Sequence, residues 1–273
     1  MKLFIPIFKN LPLDTGFRIQ NLGLLKCLKK QPELLCQLWN GFTVLDSLKV
    51  SFNGSYYLNK TLNELFPESL LSQAGIATLE FELDDLPPED KALLHNNLFE
   101  AEVILKGKTS NSWTTVLYDL IADKKTAHRY SPILHSAHTA EIGKFSDSFV
   151  LLLNFRPAYL KTEALFQTME LELKSPSGVL LATKNLEIPF NFTTTISFLQ
   201  EFSLFGPFQP GSQINLKGGE SQFAIFTLFW NSKTESLGIE HSLPPMYYCK
   251  GILKPNSRKV FYKNAFKLTR DKN

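Results

Sequence analysis

The chain is 273 residues long, 44% apolar and 20% charged, with a formal net charge of +3. That length accommodates one large domain or two of ordinary size, and the composition is that of a globular protein. So small a charge gives no footing for a nucleic-acid or anionic-membrane partner, and no window of about 18 uninterrupted apolar residues offers a membrane span.

Phe outnumbers Met by 23 to 3, a bias toward sheets over helical bundles. "MKLFIPIFKN" (1–10) holds a short apolar run interrupted by Pro6; it is below the length of a signal-peptide core and reads as a first strand. In "NLGLLKCLKKQPELLCQLW" (21–39), Leu24, Leu25 and Leu28 oppose a lysine-rich face, and Pro32 limits the segment to a short helix. "FTVLDSLKVSF" (42–52) is rich in β-branched and aromatic residues, with a turn at Asn53-Gly54. In "TLNELFPESLLSQAG" (61–75), Thr61 and Glu64 have capping-box spacing, and Ser69–Ala74 can form a helical turn before Gly75. "IATLEFELDDL" (76–86) alternates apolar and polar residues until Pro87-Pro88, which open a brief helix over 87–97. "LFEAEVILKG" (98–107) and "WTTVLYDLIAD" (113–123) are further strands. The second half adds strands at 148–155, 167–175, 178–190, 212–219 and 222–230, with a tight turn at Pro176, Ser177 and Gly178.

Many short strands divided by turn residues predict an all-β protein of two tandem antiparallel β-sandwiches with a few short helices. An internal echo suggests the tandem arrangement. "LYDLIADKKTAHRYSP" (117–132) resembles "LFWNSKTESLGIEHSLPP" (228–245), and "NELFPESLLSQAGIATLEFELDD" resembles "QEFSLFGPFQPGSQINLKGG". The expected division is a first sandwich at 1–134, a connecting segment at 135–146 and a second sandwich at 147–273. Three cysteines, Cys27, Cys36 and Cys249, have neither metal-ligand nor redox spacing, so free thiols in a reducing, cytoplasmic setting are expected.

The strand, polar turn and closing "HSLPPMYY", together with "SLKVSFNGSYYLNKTLNELF", resemble the small β-sandwich of the sensory rhodopsin transducer group. This chain is about twice the length that group implies. The resemblance implies a non-catalytic sandwich that binds a partner or a small ligand.

Two chemistries remain for the side chains. His135, His138 and Glu141 stand at i, i+3 and i+6, and with His241 from the second half they could hold a transition metal such as Zn in a metal-dependent enzyme. The alternative for this stretch is a polar connection between the halves. Phe205, Phe208, Trp230, Tyr247 and Tyr248 fall near glycines and prolines of the second half, and Arg156 stands near a strand end. Aromatics on sandwich loops can stack on sugar rings or anchor a protein. No nucleophile elbow or phosphate loop occurs. The leading expectation is a non-catalytic binding or accessory protein without a cofactor, whose partner is a protein or a carbohydrate.

Overall fold

The computed structural model describes residues 2–20, 22–96, 100–110, 112–119, 137–138, 146–155, 163–202, 212–217 and 222–241. Through residue 119 the elements are β1 (Lys2–Pro6), β2 (Leu13–Gln20), α1 (Leu22–Cys27), β3 (Glu33–Asn40), β4 (Thr43–Ser51), β5 (Tyr57–Thr61), α2 (Leu62–Leu65), α3 (Glu68–Leu71), β6 (Ile76–Glu82), α4 (Pro88–Asn96), β7 (Glu100–Gly107) and β8 (Trp113–Asp119). Beyond it come β9 (Ala137–His138), β10 (Ser146–Phe155), β11 (Phe166–Lys174), β12 (Leu180–Pro189), β13 (Phe192–Ser197), α5 (Phe198–Phe202), β14 (Gln213–Lys217), β15 (Gln222–Asn231) and β16 (Ser236–His241).

Every strand pairing is antiparallel, and the fold is all-β. Sheet 1 has the order β1-β6-β3-β4 and sheet 2 the order β5-β2-β7-β8. Sheet 3 reads β9-β14-β11-β12 and sheet 4 β13-β10-β15-β16. Adding eight to each strand number of sheets 1 and 2 returns the order of sheets 3 and 4.

Local features repeat with the order. Phe52 and Phe190 are both buried, at 3% exposure, and each precedes an asparagine with φ of 51°, Asn53 or Asn191, where the chain crosses between sheets. Asparagine tolerates that left-handed backbone better than most residues do. The next strand ends in a hydroxyl residue that starts a helix. In the first half Glu64 Oε2 reaches back to the Thr61 amide at 3.4 Å; in the second the Gln200 amide donates to Ser197 Oγ at 3.1 Å. The echo of 63–85 with 200–219 follows this order, since both run from the helix into β6 or β14. The echo of 117–132 with 228–245 does not: Leu228 lies in β15, whose counterpart is β7, while Leu117 lies in β8.

Two segments differ from expectation. Residues 33–39, beyond the Pro32 break and not expected as a strand, form β3, because Leu34, Cys36 and Leu38 alternate toward the core and are fully buried. The Asn53-Gly54 turn does not close a hairpin; β4 pairs with β3 and β5 with β2, so it turns a corner between sheets 1 and 2.

The first core lies between sheets 1 and 2. Leu3, Ile5, Leu34, Cys36, Leu38, Ala77 and Leu79 share one face by register, opposite Phe17, Ile19, Ala101, Val103 and Leu105. Sheet 4 joins it: Phe149, Leu151, Leu153, Phe226, Leu228 and Trp230, on one face of that sheet, belong to the same apolar cluster. Its opposite face turns to sheet 3. There the fully buried Asn154 donates to the carbonyls of Ile188 and Pro189 at 3.0 and 2.9 Å and accepts from Gln167 at 2.8 Å. Polar contacts also cross between the halves. The Ile7 amide donates to Thr193 Oγ1 at 3.1 Å, the Thr193 amide to the Gly75 carbonyl at 2.9 Å, and Ser112 Oγ to the Glu235 carbonyl at 2.6 Å.

Candidate functional site

Most of the residues singled out in the sequence lie outside the described residues: Phe205, Phe208, Tyr247, Tyr248, Arg156, His135 and Glu141. His138 sits on β9 opposite Gln213 in sheet 3, and His241 on β16 opposite Phe226 in sheet 4. The described backbone thus places these two histidines in different sheets. Among the described residues no group of three or more His, Cys, Asp or Glu could hold a metal. Trp230, expected on a contact surface, is 9% exposed and part of the core, because its side of β15 is covered by the first half.

The described surface offers a different constellation, on the face of sheet 2 turned away from the core. Alternation sends Phe17 and Ile19 inward, so Asp14, Gly16 and Arg18 point outward. Register then aligns Asp14 with Lys106 and Trp113, Gly16 with Ile104 and Thr115, and Arg18 with Glu102 and Asn59. Gly16 is required at the centre: a Cβ there would lie 2.2 Å from the Lys60 carbonyl oxygen, so any side chain would force β2 and β5 apart.

Arg18 organises this face. Its Nη1 donates to Glu102 Oε2 at 3.0 Å, and its guanidinium carbon lies 5.3 Å from the centroid of the Trp113 ring. Gln20 Nε2 reaches the other Glu102 oxygen at 3.4 Å. The ion pair is mostly covered, at 19% and 17% side-chain exposure, whereas Trp113 is 58% exposed. Arg18 Nε is buried without an acceptor among the described residues. The arrangement is an open indole backed by a cation and flanked by a fixed carboxylate and amide. It carries no net charge, so it suits stacking and hydrogen bonding rather than acid–base chemistry.

The carboxylates on the outer face of sheet 1 do not form a free catalytic pair. Lys49 Nζ lies 2.5 Å from Glu82 and 3.4 Å from Glu33, and Ser51 Oγ donates to Glu33 at 3.2 Å. The hydrogen bonds to Glu82 and Glu33 hold the Lys49 ammonium above its ordinary pKa.

Sequence reasoning missed Trp113 and Arg18. Alternation in "TGFRIQ" and "WTTVLYD" places each on one face of its strand, but only register across β2, β7 and β8 brings them together.

No family model matches the chain, and no curated protein matches it. Among solved structures, a β-glucuronidase of Bacteroides uniformis is 10% identical, with 89% of this chain and 26% of that chain covered at a TM-score of 0.14. Two structures of β-glucuronidase 2 from Bacteroides uniformis have the same identity and coverage at 0.15: a calcium-binding mutant and a form covalently bound to cyclophellitol-6-carboxylate aziridine. The chain spans about a quarter of the length of these structures. Likeness at that level carries no argument about fold or function.

Proposed function

We propose that this chain is a non-catalytic binding or accessory protein whose contact surface is the outer face of sheet 2, with a carbohydrate as the ligand that face fits best. The observation that carries the reading is Trp113, 58% exposed on a regular strand rather than a loop. A comparison within the chain sharpens it. Trp113 pairs with Lys106 as Leu237 pairs with Trp230, so the two positions correspond; Leu237 packs on the core, and Trp113 faces solvent. A large aromatic that serves no core can present a flat apolar surface to a sugar ring. Glu102 and Gln20 then supply directional hydrogen bonds beside it.

The repeated strand order, the left-handed asparagines and the paired helix starts support a tandem duplication in which β9 (Ala137–His138), inside the expected connecting segment 135–146, opens the second unit. Cys27 is a free, exposed thiol and Cys36 a free, buried one, which supports a reducing, cytoplasmic setting. No helix among the described residues is long and apolar enough to cross a membrane.

The test is a titration of the full chain with a panel of soluble oligosaccharides, read by tryptophan fluorescence and calorimetry. Saturable quenching by one sugar class is expected, lost in Trp113→Ala while the thermal midpoint stays unchanged. A response that survives in Trp113→Ala, or none across the panel, would rule this face out as a glycan site.

A further inference from the structure

Beside the same sheet face, the chain leaving β1 turns back through Pro12 into β2 and, with α2 and α3, encloses a cleft of about 200 Å³. That is below the roughly 300–1,000 Å³ of drug-sized sites, so an occupant must be small. The floor is aliphatic: Ile7, Leu13, Leu62 and Leu71 are buried there with Phe8. The rim is charged and balanced. Lys108 Nζ stands 3.2 Å from Glu68 and 3.8 Å from Asp14 Oδ1, and Asn63 Nδ2 donates to Asp14 Oδ1 at 2.8 Å; Lys9 also lines the cleft, but its ammonium donates to the Gln73 carbonyl at 3.4 Å and lies 5.0 Å from the Phe192 ring centroid.

The second half shows what Asp14 is not doing. Gly16 pairs with Thr61 as Phe149 pairs with Ser197, which makes Asp14 and Asp147 corresponding residues. Asp147 uses both oxygens to hold the start of α5, accepting from Ser197 Oγ at 2.6 Å and from the Leu199 amide at 3.3 Å. In the first half Glu64 caps α2 instead. Both contacts of Asp14 fall on Oδ1, which leaves Oδ2 without a protein partner among the described residues. Asp14 thus keeps one oxygen on α2 through Asn63 and presents the other to a cleft with an apolar floor.

We propose that this cleft binds a free aliphatic amino acid of about leucine size as its zwitterion. Asp14 Oδ2 and the Asn63 carbonyl accept from the α-ammonium, Lys108 takes the carboxylate, and the side chain lies on Ile7, Phe8 and Leu71. Opposite charges on the ligand match opposite charges on the rim, so neither partner is left with an unpaired charge on desolvation. Asp14 lies on the sheet 2 face that carries Trp113, but two strands away from it, or about 10 Å.

Calorimetric titration of the full chain with L-leucine tests the assignment, with L-alanine, isoamylamine and 4-methylpentanoate as comparators lacking the alkyl body, the carboxylate and the ammonium. Saturable binding of leucine is expected, with each comparator at least about tenfold weaker. Asp14→Asn should weaken leucine by about tenfold or more, and Trp113→Ala should leave it unchanged. If Asp14→Asn is destabilised, the exposed-rim variant Lys108→Met carries the test with the same expected loss. No saturable heat at millimolar leucine overturns the proposal. So does isoamylamine binding as tightly as leucine, or a variant with unaltered affinity.

Discussion

Cys27 and Cys36 show how far position changes the chemistry of one residue type. Cys36 is fully buried between Leu34 and Leu38 on β3, and burial pushes its thiol from 9.0 up to about 12; Cys27 is exposed at the end of α1. The thiolate is the reacting species, so a disulfide reagent at pH 8 should modify Cys27 and leave Cys36 intact until denaturant is added. Mass spectrometry of the labelled peptides reads this directly, and rapid modification of Cys36 in the native protein would contradict its placement. The sign of the pH dependence follows from the same shift. The folded thiol has the higher pKa, so its contribution is complete below pH 9.0 and is lost as pH rises toward about 12. The alkaline slope of stability should therefore diminish in Cys36→Ala. Free thiols were legible in the sequence from count and spacing, but which one is inert was not, because burial depends on β3, a strand that nothing in the run after Pro32 had marked.

The elements were legible where one face alternates cleanly, as in β6 and β11, and obscure where a strand follows helix-like residues, as β3 follows α1. Nothing in the sequence marked the link that holds α1 to α4. Asp90, 1% exposed on α4, accepts from the backbone amides of Lys29 and Lys30 at 3.2 and 3.0 Å, just beyond the end of α1. Beside it Lys29 and Glu89 form an exposed ion pair, and that hydrogen bond holds the Glu89 carboxyl below its ordinary range. An exposed pair of this kind contributes little; the buried carboxylate contributes more, because removing it strands two donors. Asp90→Ala is expected to cost about 1–3 kcal/mol for each amide left unpaired, and Asp90→Asn less, as it keeps one acceptor. Urea midpoints compare the three proteins. If Asp90→Ala matched the parent, the amides would have found water, and the link between α1 and α4 would be unimportant. The long edge strands β4 and β12 carry their own protection: Lys49 stands near the end of β4 and Lys184 in the middle of β12, and the pairings of both have register shifts. Charges and irregularities of this kind oppose edge-to-edge assembly, although Val179, Leu180 and Leu181 are left exposed at the β12 hairpin.

At the scale of the molecule, a repeated topology carries two different surfaces. Register makes Asp14, Gly16, Arg18, Glu102, Ile104, Lys106 and Trp113 correspond to Asp147, Phe149, Leu151, Phe226, Leu228, Trp230 and Leu237. The same face is largely polar and partly exposed on sheet 2 but largely apolar and covered on sheet 4. Strand rhythm in the sequence suggested two similar halves, yet it could not reveal this difference, since both faces alternate equally well. The difference has a consequence for folding. Sheet 4 supplies Phe149, Leu151, Leu153, Phe226, Leu228 and Trp230 to a cluster whose other members come from the first half, so neither half is complete without the other. The full chain should therefore unfold in a single transition, with tryptophan fluorescence and circular dichroism coinciding. Leu151→Ala, at a fully buried position, should lower the common midpoint at a cost of about 2–5 kcal/mol. Residues 1–134 expressed separately would expose the first-half side of this cluster to water and should show no cooperative transition. A fragment that unfolds cooperatively with its own midpoint, or a Leu151→Ala variant in which one probe shifts and the other does not, would mean that the halves are independent folding units.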